Sequence, residues 1–471
     1  MKTIIPNSKV SEFFHEINPK IGKKYSKILN NYNIFTVEQL AGAISPDLPF
    51  FNKKEVICKG LVTNYQSVQL NNQKDSVKIK KIKKLFNTNQ KEASLIYESL
   101  NKVEFPIRVM KLTPSFLSMG LQVSKTSEKS TYWTSDYQVN KFEGTRYFIP
   151  DYERMGSVFD QGSRGTCVAN AATSLIDYIT DRRTSRQFLY HQCKMIDGHP
   201  NRSGTNMYNP IKIACNKNLI DYGTVTEEQW PYNEDYEETE HQGPPLEGCF
   251  YTSRYYSEEQ IYIRESSIIT DIKTILLGSN IATAVPLTMG FALYESFNSY
   301  STRRTGWVTI PLPGEEISGY HAMLIVGWDD EDKVFIVRNS WGNSWAAENS
   351  YAKPGHALIP YKYIEKYTHG GCSLLSMKDS LFEVKEKDRL YRNMKSSSQT
   401  DLRKVAASGF NVSKPEHKKS VFIKIIKILI VLGILSIGFR FLFPSTYFLL
   451  RYYIVEIYLR IYISIFEFIS N

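Results

Sequence analysis

Apolar residues recur at helical spacing through the first hundred positions. Val10, Phe13, Phe14 and Ile17 share one helical face. Thr36 and Gln39 stand at capping-box spacing and open a further helix through Leu40. Residues 111–149 are polar and rich in Ser, Thr and Lys, as in a linker or an extended strap. From about Tyr147 to Cys372 the pattern is dense and mixed. Val168, Ala172, Leu175, Ile176 and Ile179 predict a buried helix. Two later runs, 321–328 and 334–337, are almost wholly apolar and predict buried strands. The acidic turn Asp329 to Asp332 between them makes a hairpin. Residues 378–420 turn charged and Ser-rich, as in a stalk.

The last fifty residues change character again. Ile425 to Leu450 is apolar except for Lys427, Arg440, Pro444 and the small polar residues Ser436, Ser445 and Thr446. Its longest uncharged run, 428–439, has 12 residues, shorter than the roughly 20 of a clean spanning helix. Lys427 and Arg440 are placed to snorkel to the two interfaces. In the following stretch, Glu456, Arg460 and Glu467 fall on one helical stripe of an otherwise greasy segment. The expectation is membrane attachment by the C-terminus, as a single pass or a hairpin. Lys414, Lys418, Lys419, Lys424 and Lys427 precede the apolar run, which puts the preceding domain on the cytosolic side.

Charge divides the chain in the same places. Of 471 residues, 1–110 hold 18 Lys+Arg against 9 Asp+Glu, 111–377 hold 24 against 31, and 378–471 hold 16 against 8. An acidic middle between basic ends predicts separate modules. The expected boundaries are a basic helical domain at 1–110, a linker at 111–146, the main domain at 147–375, a basic stalk at 376–420 and membrane-associated helices at 421–471. The six cysteines form no CxxC pair and no metal spacing, and the first twenty residues lack the apolar core of a secretory signal. Both features point to a reducing compartment. Neither metal nor cofactor is expected.

Three motifs carry chemistry. In Asp160-Gln-Gly-Ser-Arg-Gly-Thr-Cys167, the cysteine falls at the first turn of the predicted buried helix, where the dipole and free N–H groups favour a thiolate. A thiolate is the nucleophile that attack on a carbonyl needs. Gly162 and Gly165 permit a tight turn and close substrate approach. Gln161 is placed to offer its amide, with the Cys167 N–H, to a developing oxyanion. His321 opens the first apolar strand and is the candidate base. Asn339 closes the second, 18 residues later, and is placed to orient the imidazole. Trp341 is placed to shield that hydrogen bond.

Together these motifs resemble the papain-like (C1) cysteine peptidases over about Tyr147 to Cys372. The resemblance implies an α+β fold with a helical half carrying Cys167, a β-barrel-like half carrying His321 and Asn339, and a cleft between them. It implies Gln161 as the oxyanion glutamine, and Ser203 and Gly204 as the pair whose backbone binds a substrate strand. Asp151 to Arg154 resembles the start of the family's mature domain. Arg164 stands where the family usually has a disulfide cysteine, as in bacterial or viral-type members. Val168, Tyr320, Ala346 and Ala347 also depart from the usual pattern. The implied activity is peptide-bond hydrolysis through a thioester. The rivals are a transferase or deamidase with the same nucleophile, and a degenerate membrane-tethered binding protein.

The N-terminal region has two readings. Pro19 to Leu29 followed by Ile34 to Leu40 resembles a helix-hairpin-helix unit, with Lys20 in place of the first glycine. The basic run Lys74 to Lys84 adds to a nucleic-acid-binding reading. The other reading is an inhibitory propeptide, which papain-like enzymes commonly carry at similar length.

Overall fold

A computed structural model of the chain describes residues 7–44, 72–103, 119–123, 139–199, 202–215, 223–234, 255–257, 259–263, 265–279 and 283–379. Five helices come first: α1 Val10–Ile17, α2 Pro19–Asn30, α3 Val37–Ile44, α4 Asn72–Phe86 and α5 Gln90–Asn101. The expected face of α1 is real, with Val10, Phe13 and Phe14 buried and Ile17 half-buried. The capping box also forms. Gln39 Oε1 accepts from the Thr36 N–H at 3.0 Å, and the Gln39 N–H donates to Thr36 Oγ1 at 3.3 Å. Phe14, Tyr25 and Phe86 join these helices in an aromatic cluster. On α4, Ile82, Leu85 and Phe86 are buried while Lys80, Lys83 and Lys84 are exposed, so much of the basic run is a solvated helix face.

The second layer begins with β1 Arg146–Phe148 and the helices α6 Cys167–Thr180, α7 Arg186–Ile196 and α8 Asn209–Cys215. It continues with β2 Tyr255–Tyr256, β3 Gln260–Tyr262, α9 Ile268–Leu277, β4 Leu287–Tyr294, α10 Tyr300–Thr305, β5 Ile317–Asp329, β6 Val334–Arg338, β7 His356–Pro360, α11 Tyr361–Tyr367, β8 Thr368–Leu374 and β9 Lys378–Asp379. The sheet has the order β3-β8-β4-β5-β6-β7, with β1 also on β5 and every pairing antiparallel. β2 and β9 make a separate two-stranded ladder. The predicted hairpin is β5–β6, with Leu324 opposite Arg338 and Asp329 opposite Val334. Residues 321–329 and the whole of β6 are buried, as their unbroken apolar runs require. In α6, Cys167 to Tyr178 are all buried, so this helix is the spine of the helical half.

The N-terminal helices share a core with the sheet half through Leu312. Among the described residues no helix is long and apolar enough to cross a membrane. The segment 421–471, to which membrane attachment is assigned, lies outside the described residues.

Candidate active site

Two backbone bridges bring the distant motifs together. The Gln161 N–H donates to the Ser340 carbonyl at 2.9 Å, and the Gly342 N–H to the Phe159 carbonyl at 2.9 Å. The loop before Cys167 is thus laced to the segment after Asn339. Gln161 adds its side chain: Oε1 accepts from the Ser340 hydroxyl at 2.6 Å, and Nε2 donates to the Arg164 carbonyl at 2.8 Å.

Cys167 opens α6 and is fully buried. The Ala322 N–H points at its Sγ from 3.4 Å, so the residue after His321 touches the sulfur. His321 Nε2 meets Asn339 Oδ1 at 2.8 Å, and that oxygen also accepts from the Ser340 N–H at 2.8 Å. With Oδ1 accepting, Nε2 carries the ring proton and Nδ1 is left as the basic nitrogen. Nδ1 is buried without a hydrogen-bond partner. The Trp341 ring lies 4.8 Å from the imidazole centroid, tilted by 33°, and is itself fully buried, so it walls the His–Asn bond from water.

Burial favours the neutral form of both Cys167 and His321. It pushes the Cys167 thiol up to about 11, against the N–H groups of Ala322, Gly120, Val168 and Cys167 that pull it down. It pushes His321 down to about 4, against the Asn339 hydrogen bond.

Part of that burial comes from residues 119–123, in the segment read as linker or strap. The Leu121 N–H donates to the Tyr320 carbonyl at 3.2 Å. The Gln122 N–H donates to the Thr205 carbonyl at 2.9 Å, and the Thr205 N–H returns to the Gly120 carbonyl at 2.9 Å. The segment therefore runs as a short strand parallel to residues around Thr205, across the mouth above Cys167. Met119 lies against Gly319. The Leu121 side chain, 7% exposed, fills a slot beside Gly290 and Met207.

The other expected substrate-binding residues sit around this strand. Gly165 and Gly204 face Gly120, and a Cβ on Gly165 would collide with Ser203 Oγ. The Gly204 N–H donates to Tyr190 Oη at 3.0 Å and its carbonyl accepts from Lys194 Nζ at 2.7 Å, while the strand's own Gln122 Nε2 donates to the Gly204 carbonyl at 3.0 Å and the Ser203 carbonyl at 3.1 Å. On this side the residue whose N–H and carbonyl both pair with the strand backbone is Thr205, one position later. Sequence reasoning missed it, because backbone pairing leaves no mark on side-chain identity. Arg164 is buried, not solvated, and its Nη1 donates to Gln187 Oε1 and the Asn233 carbonyl, both at 2.7 Å. Cys167, Cys193, Cys215 and Cys372 are free thiols, and Cys58 and Cys249 lie outside the described residues. No cluster of metal-ligating side chains occurs among the described residues.

With this geometry in place, comparison with known proteins is direct. Residues 150–357 match the family model for papain family cysteine proteases. These residues form a papain-like (C1) cysteine peptidase domain. An uncharacterized peptidase C1-like protein of Acanthamoeba polyphaga mimivirus is 32% identical over 224 residues, which cover 44% of this chain and 65% of the relative. A cathepsin B-like cysteine proteinase of Haemonchus contortus is 24% identical over 110 residues, covering 23% of this chain and 29% of the relative. The chain thus spans less than two thirds of the length of these curated relatives. Among solved structures, xylellain, a cysteine protease from Xylella fastidiosa, aligns at a TM-score of 0.45 and 22% identity, over 57% of this chain and 99% of that one. A procathepsin B from Trypanosoma congolense aligns at a TM-score of 0.40 and 15% identity, over 56% and 87%. The papain-like match leaves the helices α1–α5 and residues 119–123 outside it.

Proposed function

We propose that this papain-like domain is a working cysteine peptidase and that residues 119–123 hold it closed. The observation that carries the first half is the 2.8 Å His321–Asn339 bond beside Cys167. Nδ1 takes the thiol proton, Cys167 Sγ attacks a peptide carbonyl, and the imidazolium returns the proton to the leaving amine. Water then hydrolyses the thioester and releases the acid. The Gln161 amide gives one N–H to Arg164 and has a second for the oxyanion, beside the Cys167 N–H. Thr205 would pair with the substrate backbone as it now pairs with residues 120–122. The Leu121 slot favours a bulky apolar substrate side chain next to the reacting residue.

The closed state follows from the same contacts. A strand bound along Thr205 and Tyr320 excludes any other strand from them. Labelling by a peptidyl epoxide tests the enzyme reading: mass analysis should find the adduct on Cys167 and none in Cys167→Ala. Unlabelled wild-type protein, even after residues 119–123 are displaced, would sink it.

The proposal extends to location. The apolar run after Lys427, with its preceding lysines, supports a C-terminal anchor with the peptidase on the cytosolic side. Full-length protein that leaves membranes in an alkaline wash, as a chain ending at 420 should, would contradict it.

A further inference from the structure

We propose that Tyr232 is a positioning residue for the loop from Asp160 to Cys167, holding both oxyanion donors at their working distance. This rests on the peptidase reading above. The Tyr232 hydroxyl donates to the Gln161 carbonyl at 2.7 Å and lies 2.7 Å from Thr166 Oγ1. A phenol has one proton. The carbonyl can only accept, so it takes that proton, and the Thr166 hydroxyl donates in return. The two tethered residues are the ones that matter for the oxyanion. Gln161 carries the side-chain amide, and Thr166 immediately precedes the Cys167 N–H.

Two guanidiniums hold the ring itself. Arg164 Cζ lies 5.0 Å from the Tyr232 centroid and Arg186 Cζ 4.0 Å. Arg164 reaches Gln187 on α7 and the carbonyl of Asn233, next to Tyr232. Arg186 reaches the Asp160 carbonyl at 3.0 Å and Asn170 Oδ1 on α6 at 3.1 Å, and it pairs with Glu227 at 3.5 Å. Its guanidinium also lies 4.2 Å from the Phe159 ring. The loop is therefore fixed from α6, α7 and residues 227–233 without a covalent link, and the Tyr232 hydroxyl ties Gln161 to Thr166 within it. Oxyanion donors act only within a few tenths of an ångström of about 2.9 Å, so a loop free to drift loses transition-state binding before it loses substrate binding.

The test is Tyr232→Phe, which keeps the ring and removes only the hydroxyl. It is made in the full chain and in the full chain carrying Gly120→Val, to displace the blocking strand. The expected result is a kcat for a peptide amide lower by at least about tenfold, with KM within about twofold. A peptide aldehyde, whose adduct places an oxyanion between Gln161 and Cys167, should weaken by the same factor. Iodoacetamide needs the Cys–His pair but no oxyanion hole, so its rate on Cys167 should hold within about twofold. Unchanged kcat and aldehyde affinity overturn the proposal. So does an equal loss of alkylation and kcat, which is the mark of a loop that has simply collapsed. If Tyr232→Phe does not fold, Thr166→Val removes the other partner of the same hydroxyl and is read by the same split. Absence of both alkylation and turnover with Tyr232 intact, in both backgrounds, is a failure of the peptidase reading instead.

Discussion

A Cβ placed on Gly120 would come within 1.9 Å of the Gly165 carbonyl oxygen. The strand 119–123 lies against the wall of the candidate active site with no room for a side chain at that point. The contact is backbone on backbone, so neither partner has a flexible end to move aside. Gly204, at φ +82°, closes the other side, where its own added Cβ would meet the Gly120 carbonyl at 2.5 Å.

Gly120→Val should therefore expel the strand. The expected outcome is faster labelling of Cys167 by a peptidyl epoxide, by about tenfold or more, because about 1.4 kcal/mol of lost strand binding is a tenfold change in the open population. Peptide turnover should rise by a similar factor. Labelling no faster than in the unaltered chain would show that the strand does not block the site.

The acid–base state of the pair gives a second reading of the same event. In the closed site burial holds the Cys167 thiol at about 11 and the His321 imidazolium at about 4, so at pH 7 the pair is SH with neutral imidazole. Alkylation of Cys167 in the intact chain should then rise steeply only as pH climbs toward 11. In Gly120→Val, water reaches the sulfur and the desolvation that raised the thiol is relieved, so the alkylation midpoint should fall. Superimposable pH–rate profiles would refute this.

Within the site, Asn339 and His321 should not be equal. Removing the imidazole removes the base, and His321→Ala should cost about 10³-fold or more in kcat/KM. Asn339→Ala leaves the imidazole in place beside Trp341 but frees its tautomer and angle. The expected loss is intermediate, about 10- to 100-fold, with kcat falling more than KM rises. Steady-state kinetics in the Gly120→Val background checks both, and equal losses would mean that Asn339 does more than orient.

The legible parts of this architecture were those written in side-chain type. Cys167 after a Gly-rich loop, His321 at the head of an apolar run and Asn339 at the end of the next fixed the hairpin and its contents, because burying two runs in one sheet forces them antiparallel across the acidic turn. The capping box at Thr36 and Gln39 was local and equally plain. The blocking strand was not legible. Residues 119–123 bind through backbone groups, the Met119 and Leu121 side chains and the Gln122 amide, which leaves no periodicity to find in a polar stretch. Thr205 escaped for the same reason. Tyr232 and Arg186 were hidden because their partners lie up to 71 residues away in sequence, and only the folded chain brings them together.

The N-terminal helices offer a prediction about stability. They dock on the sheet half through Asn33, whose Nδ2 donates to the Val308 carbonyl at 3.0 Å, and through the Ile310 N–H, which donates to the Tyr32 carbonyl at 2.9 Å. Among the described residues two ion pairs join these halves, Lys81 with Glu295 at 3.0 Å and Arg304 with Glu38, where Nε meets Oε1 at 3.1 Å and Nη2 meets Oε2 at 2.5 Å. The Arg304 and Glu38 side chains are only 15% and 5% exposed. Arg304 also pairs with Glu348, whereas Glu38 has no other charged partner among the described ion pairs. The two halves of the pair should therefore differ. Glu38→Gln keeps shape and leaves Arg304 with Glu348, at a cost of about 1–2 kcal/mol. Arg304→Met strands the Glu38 carboxylate in a buried interface and should cost about 3–5 kcal/mol. Denaturant unfolding of the full chain should show this order. A larger loss for Glu38→Gln than for Arg304→Met would mean that the helices are not held to the peptidase domain by this pair.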